Sequence, residues 1–243
     1  MSDKIFGRNP VLEALKGDRS INKLLIAKGT TGGSLSEIRA KALAKRIPVQ
    51  EVERPYLDNL AEGASHQGVV ALGAARDYVE VEDILAIAGA KGEDPLVLLL
   101  DEVEDPHNLG SILRTADGAG AHGVIIPKRR SAGLTEAVAK ASAGAVEYVP
   151  VARVSNIAQT IDNLKKQGLW IVGTDAQGDK VYWEQDLGGP LGIVVGSEGK
   201  GIGRLIKEKC DFLVRIPMKG KISSLNAGVA TSLILYEVLR QRR

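Results

Sequence analysis

Cysteine occurs once in the 243 residues, as Cys210. That excludes a disulfide framework within the chain and any cysteine-rich zinc or iron–sulfur site. Aromatic residues are scarce, with two Phe, two Trp and five Tyr, too few for a surface that stacks many bases on rings. Neither sign of charge dominates, since 32 Lys and Arg face 30 Asp and Glu. No apolar run approaches the ~18 residues that span a bilayer, and Met1-Ser2-Asp3-Lys4 leads into Ile5 without a signal-peptide core. A cytoplasmic protein is expected, where a lone reduced thiol is ordinary. The three histidines, His66, His107 and His122, lack metal-ligand spacing, so no metal is expected. No G-x-x-x-x-G-K-[ST] sequence occurs, which argues against a phosphate-loop nucleotidase.

What is present fits a soluble globular chain, with 44% hydrophobic and 26% charged residues. At roughly 150 residues per domain the length allows one or two domains. Residues 1–74 read as a small α/β unit. Helices are expected over 10–16 and 34–46, the second with Ser34 and Glu37 as a capping box. Strands are expected over 23–27, 49–52 and 68–72. Residues 75–94, with two basic and six acidic side chains, read as an acidic linker holding a short helix over 81–88.

From Pro95 the pattern changes. Leu96-Val-Leu-Leu-Leu100 is an unbroken apolar run, the signature of a strand buried on both faces of a parallel sheet. Similar runs recur over 124–126, 146–151, 169–172, 193–195 and 212–216, with helical patterns between most of them. Residues 95–243 therefore read as an open parallel α/β sheet, which binds ligands in loops beyond the carboxyl ends of its strands. Gly118-Ala-Gly120-Ala-His-Gly123 matches G-x-G-x-x-G, but it follows a helix and precedes a strand, so it reads as a helix C-cap.

Three loops carry a stronger signal. In the first, Asp105-Pro-His-Asn-Leu-Gly-Ser-Ile-Leu-Arg-Thr115, Asn108 is expected to cap a helix. Arg114 lies six residues on, about 9 Å along the axis, off the apolar face. The second, Val195-Gly-Ser-Glu-Gly-Lys-Gly201, sets glycines directly after a buried strand, which lets backbone approach a ligand closely. The third, Ile216-Pro-Met218 followed by Ser223-Ser-Leu-Asn226, crowds more polar side chains onto a helix start than capping requires.

In order and spacing these segments resemble the three signature motifs of the SpoU/TrmH class of RNA 2′-O-ribose methyltransferases. Phe6-Gly-Arg-Asn-Pro-Val11 and His66-Gln-Gly68 resemble the ribosomal-protein-like substrate domain of the RlmB subgroup, so the likeness runs end to end. The resemblance implies a trefoil-knotted C-terminal methyltransferase domain, S-adenosyl-L-methionine as cofactor, and a homodimer formed through the C-terminal domain. For the subgroup it implies methylation of a guanosine in the peptidyl-transferase centre of 23S ribosomal RNA. A transfer-RNA or resistance-type ribose methyltransferase, or a non-catalytic RNA-binding or ribosome-assembly protein on the same fold, are the alternatives. By carry-over, Gly196, Ile216, Leu225, Thr174, Gly173 and Met218 are expected to bind the cofactor. Arg114, Asn108, Glu198, Ser224 and Asn226 are expected to be catalytic. On this view the net charge of +2 is a cancellation. Residues 1–74 carry 11 basic and 8 acidic groups, 75–94 carry 2 and 6, and 95–243 carry 19 and 16, giving +3, −4 and +3. Lys128-Arg-Arg130, Lys219, Lys221 and the Arg240–Arg243 tail are the local clusters suited to phosphate.

Overall fold

The computed structural model describes residues 3–17, 19, 21–45, 47–73 and 77–242. Met1, Ser2, Asp18, Ser20, Arg46, residues 74–76 and Arg243 lie outside it, and with them parts of the expected first domain, helix 34–46, linker and basic tail. The chain divides into two compact units, one of residues 1–77 with 134–148, the other of residues 78–133 with 149–243.

The first unit is built on a four-stranded sheet. Its chain order is β1 (Asp3–Phe6), α1 (Arg8–Lys16), β2 (Ile21–Ala27), α2 (Gly33–Ala44), β3 (Val49–Val52), α3 (Arg54–Ala61) and β4 (Val69–Gly73). The strands lie in the order β1-β4-β2-β3, with β2 and β3 parallel and the other pairs antiparallel. Helices α1 and α2 pack Val11, Leu15, Leu35 and Ile38 against Leu24, Ile26 and Val69. The expected capping box at Ser34 does not form. Gly32 is the N-cap, and Ser34 Oγ instead accepts Arg8 Nη1 at 3.4 Å. Arg8 also donates to the carbonyls of Gln67 at 3.2 Å and Thr31 at 3.3 Å, so it ties the Gly7-Arg8 turn to the His66-Gln67-Gly68 turn.

The second unit opens with α4 (Val81–Lys91), the helix expected over 81–88, which belongs to this unit and not to a separate linker. Ile84 and Ala88 are fully buried, and Ile84 belongs to the unit's own core beside Val97, Ile125 and Ile161. The acidic residues lie at its margins, and Asp83 Oδ2 accepts the Glu80 backbone N–H at 3.0 Å. There follow β5 (Leu96–Asp101), α5 (Pro106–Gly118) and β6 (Gly123–Pro127). The chain then contributes α6 (Glu136–Ala141) and a 3-10 turn (Ala145–Glu147) to the first unit. It continues through β7 (Val151–Val154), α7 (Ile157–Lys166), β8 (Trp170–Thr174), β9 (Lys180–Val181), β10 (Leu191–Gly196), α8 (Arg204–Lys209), β11 (Phe212–Arg215) and α9 (Ala227–Gln241). The strand expected over 146–151 starts only at Val151. Gly144 is left-handed at φ 94°, and Ser142 Oγ accepts the Val146 N–H at 3.3 Å, so a capped turn replaces extended backbone.

The second sheet has seven strands in the order β7-β6-β5-β10-β8-β11-β9, all parallel. Burial explains its sequence. Leu96 to Leu100 and Leu191 to Gly196 are inaccessible, and β5 and β10 run in register from Leu96↔Leu191 to Asp101↔Gly196. Both strands end at one level, so the loops that follow them emerge side by side. No helix among the described residues is long and apolar enough to cross a membrane.

His122 sits beneath this sheet, buried, its Nδ1 accepting the Leu96 N–H at 3.0 Å and its Nε2 within 3.1 Å of Glu93 Oε2. Desolvation holds the imidazole below its ordinary value, with Glu93 pulling the other way. The folded state thus binds this proton less readily than the unfolded chain. The contribution to stability is complete above about pH 6.5 and is lost as pH falls through and below that value. We expect the melting temperature to drop between pH 7.5 and 5, and to drop less in His122→Asn, which keeps an acceptor near Leu96 without a titrating ring. Equal pH dependence in both proteins would refute this assignment.

Candidate active site

The site forms where the loops after β5, β10 and β11 converge on the start of α9. Asn226 organises it. Its Oδ1 accepts the backbone N–H groups of Gly228 at 3.0 Å and Val229 at 3.3 Å, which makes it the N-cap of α9. Its Nδ2 donates to Asn108 Oδ1 at 2.8 Å and to Glu198 Oε1 at 2.5 Å. Both amide hydrogens and both acceptor sites of the side chain are therefore used. One residue from each of the three loops meets here: Asn108 after β5, Glu198 after β10, and Asn226 at α9.

Asn108 does not cap α5, as the sequence had suggested. Asp105 does, accepting the His107 N–H at 3.1 Å, with Pro106 in the first turn. Asn108 is instead buried, on the side of α5 that faces α9. With its Oδ1 committed to Asn226, its Nδ2 hydrogens remain available to a ligand oxygen. Helices α5 and α9 approach closely because residue 228 has no side chain. A Cβ there would stand 2.7 Å from Ser111 Oγ. One turn further, Thr115 Oγ1 and Ser232 Oγ share a hydrogen bond of 2.9 Å.

Beside this triad lies a cavity of about 410 Å³, a volume typical of small-molecule sites. Gly196, Ile216, Met218, Leu225 and Thr174, expected at a cofactor site, all line it, as do Glu198 and Ser224. Gly173 does not. It faces the core, where a Cβ would meet Cys210 Sγ and Leu213 at 2.8 Å. Burial pushes the Cys210 thiol up to about 12, which marks it as a packing residue. Arg114 also does not line the cavity. It is exposed on α5 and its side chain makes no hydrogen bond or ion pair with a described residue.

Gly196 is the closest approach in the site. A Cβ on it would lie 2.0 Å from the Gly201 carbonyl carbon and 2.3 Å from the Ile202 nitrogen. The loop after β10 thus folds back onto its own strand, closed by a bridge between Ser197 and Gly201. Asp101 anchors the far end of that loop, its Oδ2 accepting the Gly203 N–H at 2.7 Å. Burial raises the Asp101 carboxyl above its ordinary value, a rise that this hydrogen bond offsets in part.

Sequence reasoning missed an ion pair in the cavity wall, between Asp175 and Lys207. Burial alone would raise the Asp175 carboxyl, but Lys207 and the Gln177 N–H at 2.8 Å hold it below its ordinary range. Its only signal in the sequence was position, directly after Thr174 at the carboxyl end of a buried strand.

Residues 95–236 match the model of the SpoU rRNA Methylase family. The chain belongs to that family. Residues 4–79 of the methylase match the model described as RNA 2'-O ribose methyltransferase substrate binding. The methylase is 52% identical over 240 residues to YacO of Bacillus subtilis, named as a TrmH family tRNA/rRNA methyltransferase, covering 99% of this chain and 96% of that protein. A similarly named protein of Staphylococcus saprophyticus is 52% identical, with 98% and 95% covered. Among solved structures, the SpoU methyltransferase AviRb from Streptomyces viridochromogenes, in complex with AdoMet, superposes with a TM-score of 0.83 at 28% identity, covering 99% of this chain and 90% of that one. AdoMet-bound rRNA methyltransferase from Sinorhizobium meliloti gives 0.80 at 28%, covering 98% and 87%.

The methylase uses S-adenosylmethionine, and its cavity fits that molecule. Gly196, Ile216 and Leu225 offer backbone groups and apolar surface for a nucleoside, and the Glu198 carboxylate lies on the wall for a cationic centre.

Proposed function

We propose that the methylase transfers the methyl group of S-adenosylmethionine to the ribose 2′-hydroxyl of a guanosine in the peptidyl-transferase region of 23S ribosomal RNA. The observation that carries the 2′-O chemistry is the Asn108–Asn226–Glu198 bridge, which joins the wall of a nucleoside-sized cavity at Glu198. A ribosomal substrate is supported by coverage. The rRNA methyltransferase from Sinorhizobium meliloti matches 98% of the chain, first unit included. The TrmH/SpoU tRNA modifying enzyme of A. aeolicus matches 61% of it, with a TM-score of 0.55 at 34% identity.

The cofactor, when bound, supplies an electrophilic methyl on a sulfonium. The chain's own residues do the rest by positioning, which is worth several kcal/mol when the reacting atoms are held in line. Gly196, Ile216, Leu225, Met218 and Thr174 hold the cofactor. Asn108 Nδ2 donates to the ribose, and Asn226 fixes Asn108 and Glu198 against one another. Glu198 anchors the site electrostatically, and Ser224 hydrogen-bonds the substrate or its own loop. Arg114, a guanidinium that stays protonated, stabilises the developing alkoxide and holds a neighbouring phosphate bidentately. The hydroxyl proton passes to phosphate or water.

Two copies of the methylase pair through the second unit, and the exposed apolar stripe Val229, Leu233 and Tyr236 on α9 supports this. The same reading carries the trefoil knot in residues 95–243. It is supported by the chain order, which inserts β10 between β5 and β8 after both have been laid down. It also places the enzyme in the cytoplasm with its RNA. Arg114→Ala tests the assignment of roles. Methyl transfer to RNA should fall by at least about a hundredfold, as for loss of one oxyanion donor, while S-adenosylhomocysteine affinity by calorimetry stays within about twofold. Full activity in the variant would reject the role of Arg114.

A further inference from the structure

The basic clusters of the sequence are not equivalent in the fold. Arg240 is held bidentately by Glu237 at 2.9 and 2.6 Å. Arg242 is half-buried and donates to the carbonyls of Asp94, Pro95 and Gly189, at the amino ends of β5 and β10, opposite the active site. The Arg240–Arg242 run is therefore structural.

The carboxyl edge of the parallel sheet differs. Lys128 and Arg129 follow β6, Lys200 follows β10, and the side chains of all three are without a hydrogen bond or ion pair to a described residue. The loop that carries Lys128 and Arg129 is firmly held. Ser131 Oγ donates to the Pro127 carbonyl at 2.5 Å, the Ala132 N–H to the Val103 carbonyl at 3.0 Å, and Arg153 Nη2 to the Lys128 carbonyl at 2.9 Å. Arg130, left-handed at φ 57°, pairs with Glu102 at 2.6 Å and so bolts the loop to the segment that leads into Asn108. Glu102 in turn feels Lys200 across from it. Acidic groups are present on this rim: Glu102 is matched by Arg130 and Lys200, Asp105 is engaged as a helix cap, and the exposed Glu104 acts on Arg130. The net result is a pre-ordered pair of cations beside β6, a third beside β10, and the Asn108 segment between them.

Unpaired cations on a held loop, flanking a site that accepts a ribose, suit the negative charges of a sugar-phosphate backbone. We propose that Lys128, Arg129 and Lys200 form a phosphate track that holds the RNA strand on both sides of the target nucleotide, with Arg130 as the positioning residue that fixes the track to the Asn108 segment. This rests on the RNA-methyltransferase reading above. The track reads backbone charge and carries no base preference.

The test is the salt dependence of RNA binding. A fluorescein-labelled hairpin transcribed from 23S sequence is titrated with the full-length methylase, with S-adenosylhomocysteine present, between about 50 and 200 mM salt. Removing one cation from a phosphate flattens the log K against log salt line by about 0.7–0.9. Lys128→Ala/Arg129→Ala is therefore expected to lower the slope by about 1.4–1.8 and to bind about tenfold more weakly at the low-salt end. Lys128→Arg is expected to keep the wild-type slope, and so is Arg240→Ala. A melting curve reports whether each variant is folded; should the double variant fail there, Lys200→Ala alone is expected to flatten the slope by about 0.7–0.9. An unchanged slope in the folded variants, with wild-type protein that still methylates RNA, overturns the track and leaves the methyltransferase reading standing. A flattened slope with no methyl transfer by the wild type supports the track and overturns that reading instead.

Discussion

Gly196→Ala is expected to weaken cofactor binding about a hundredfold. The new methyl group would stand 2.0 Å from the Gly201 carbonyl carbon and 2.2 Å from its oxygen. These are backbone atoms, and no side-chain rotation relieves them. Either the loop 197–203 lifts from β10 or the strand end shifts, and both movements deform the cavity wall formed by Val195 to Gly201. Overpacking of a tight interior costs about 1–3 kcal/mol, and the upper end fits a clash with backbone. At about 1.4 kcal/mol per tenfold, the loss is about a hundredfold in affinity. Calorimetry with S-adenosylhomocysteine measures it, and a melting curve separates local from global damage. Binding within a few-fold of wild type would mean that the loop does not fold back on its strand.

Asn226→Ala is expected to damage both stability and activity. It removes the N-cap of α9, which costs about 1 kcal/mol. It also deprives the buried Asn108 Oδ1 of its donor, at a further cost of about 1–3 kcal/mol. With Asn108 and Glu198 no longer tied together, methyl transfer should fall by at least about a hundredfold, the scale of a misplacement of about 1 Å. Asn226→Asp separates the two effects. The aspartate keeps an oxygen for the Gly228 and Val229 N–H groups, so the cap survives. It has no hydrogens to give Asn108 and Glu198, and it faces the Glu198 carboxylate with a like charge. Stability recovered relative to the alanine variant by no more than the cap's share of about 1 kcal/mol, with activity as low as in the alanine variant, is the expected pattern. An active aspartate variant would show that the bridge is not needed.

Much of this site was legible in the sequence, for physical reasons that differ by residue. Gly196 stood out as one of several glycines directly after a buried strand, and its expected role came from the resemblance to the family's second motif. Asn226 stood out because Ser223, Ser224 and Asn226 exceeded what one helix start requires. The strands of the second sheet were visible because both their faces are covered, so hydrophobicity is continuous. Legibility failed where a distant partner overrides a local pattern. Ser34 and Glu37 read as a capping box, but Arg8, far off in the chain, takes the serine. Asn108 and Asp105 both suit an N-cap, and only the fold shows that α9 claims Asn108. The short helix expected over 81–88 is present as α4, but the acidic composition around it hid that the buried Ile84 and Ala88 make it part of the second unit. That residues 134–148 join the first unit could not be read from any window of sequence, because it depends on which core receives Val138 and Val146. The exposed position of Arg114, away from the cavity wall, likewise follows from helix phase and packing together.

The most direct measurement of the central claim is a methyl-transfer assay with labelled S-adenosylmethionine, offered in parallel to unmodified ribosomal and transfer RNA, followed by alkaline hydrolysis to map 2′-O-methylated sites. Label is expected in 23S ribosomal RNA, confined to an alkali-resistant linkage at a guanosine of the peptidyl-transferase region, and none is expected with Arg114→Ala. Label only in transfer RNA, label on a base, or no incorporation into either RNA would contradict the proposed reaction.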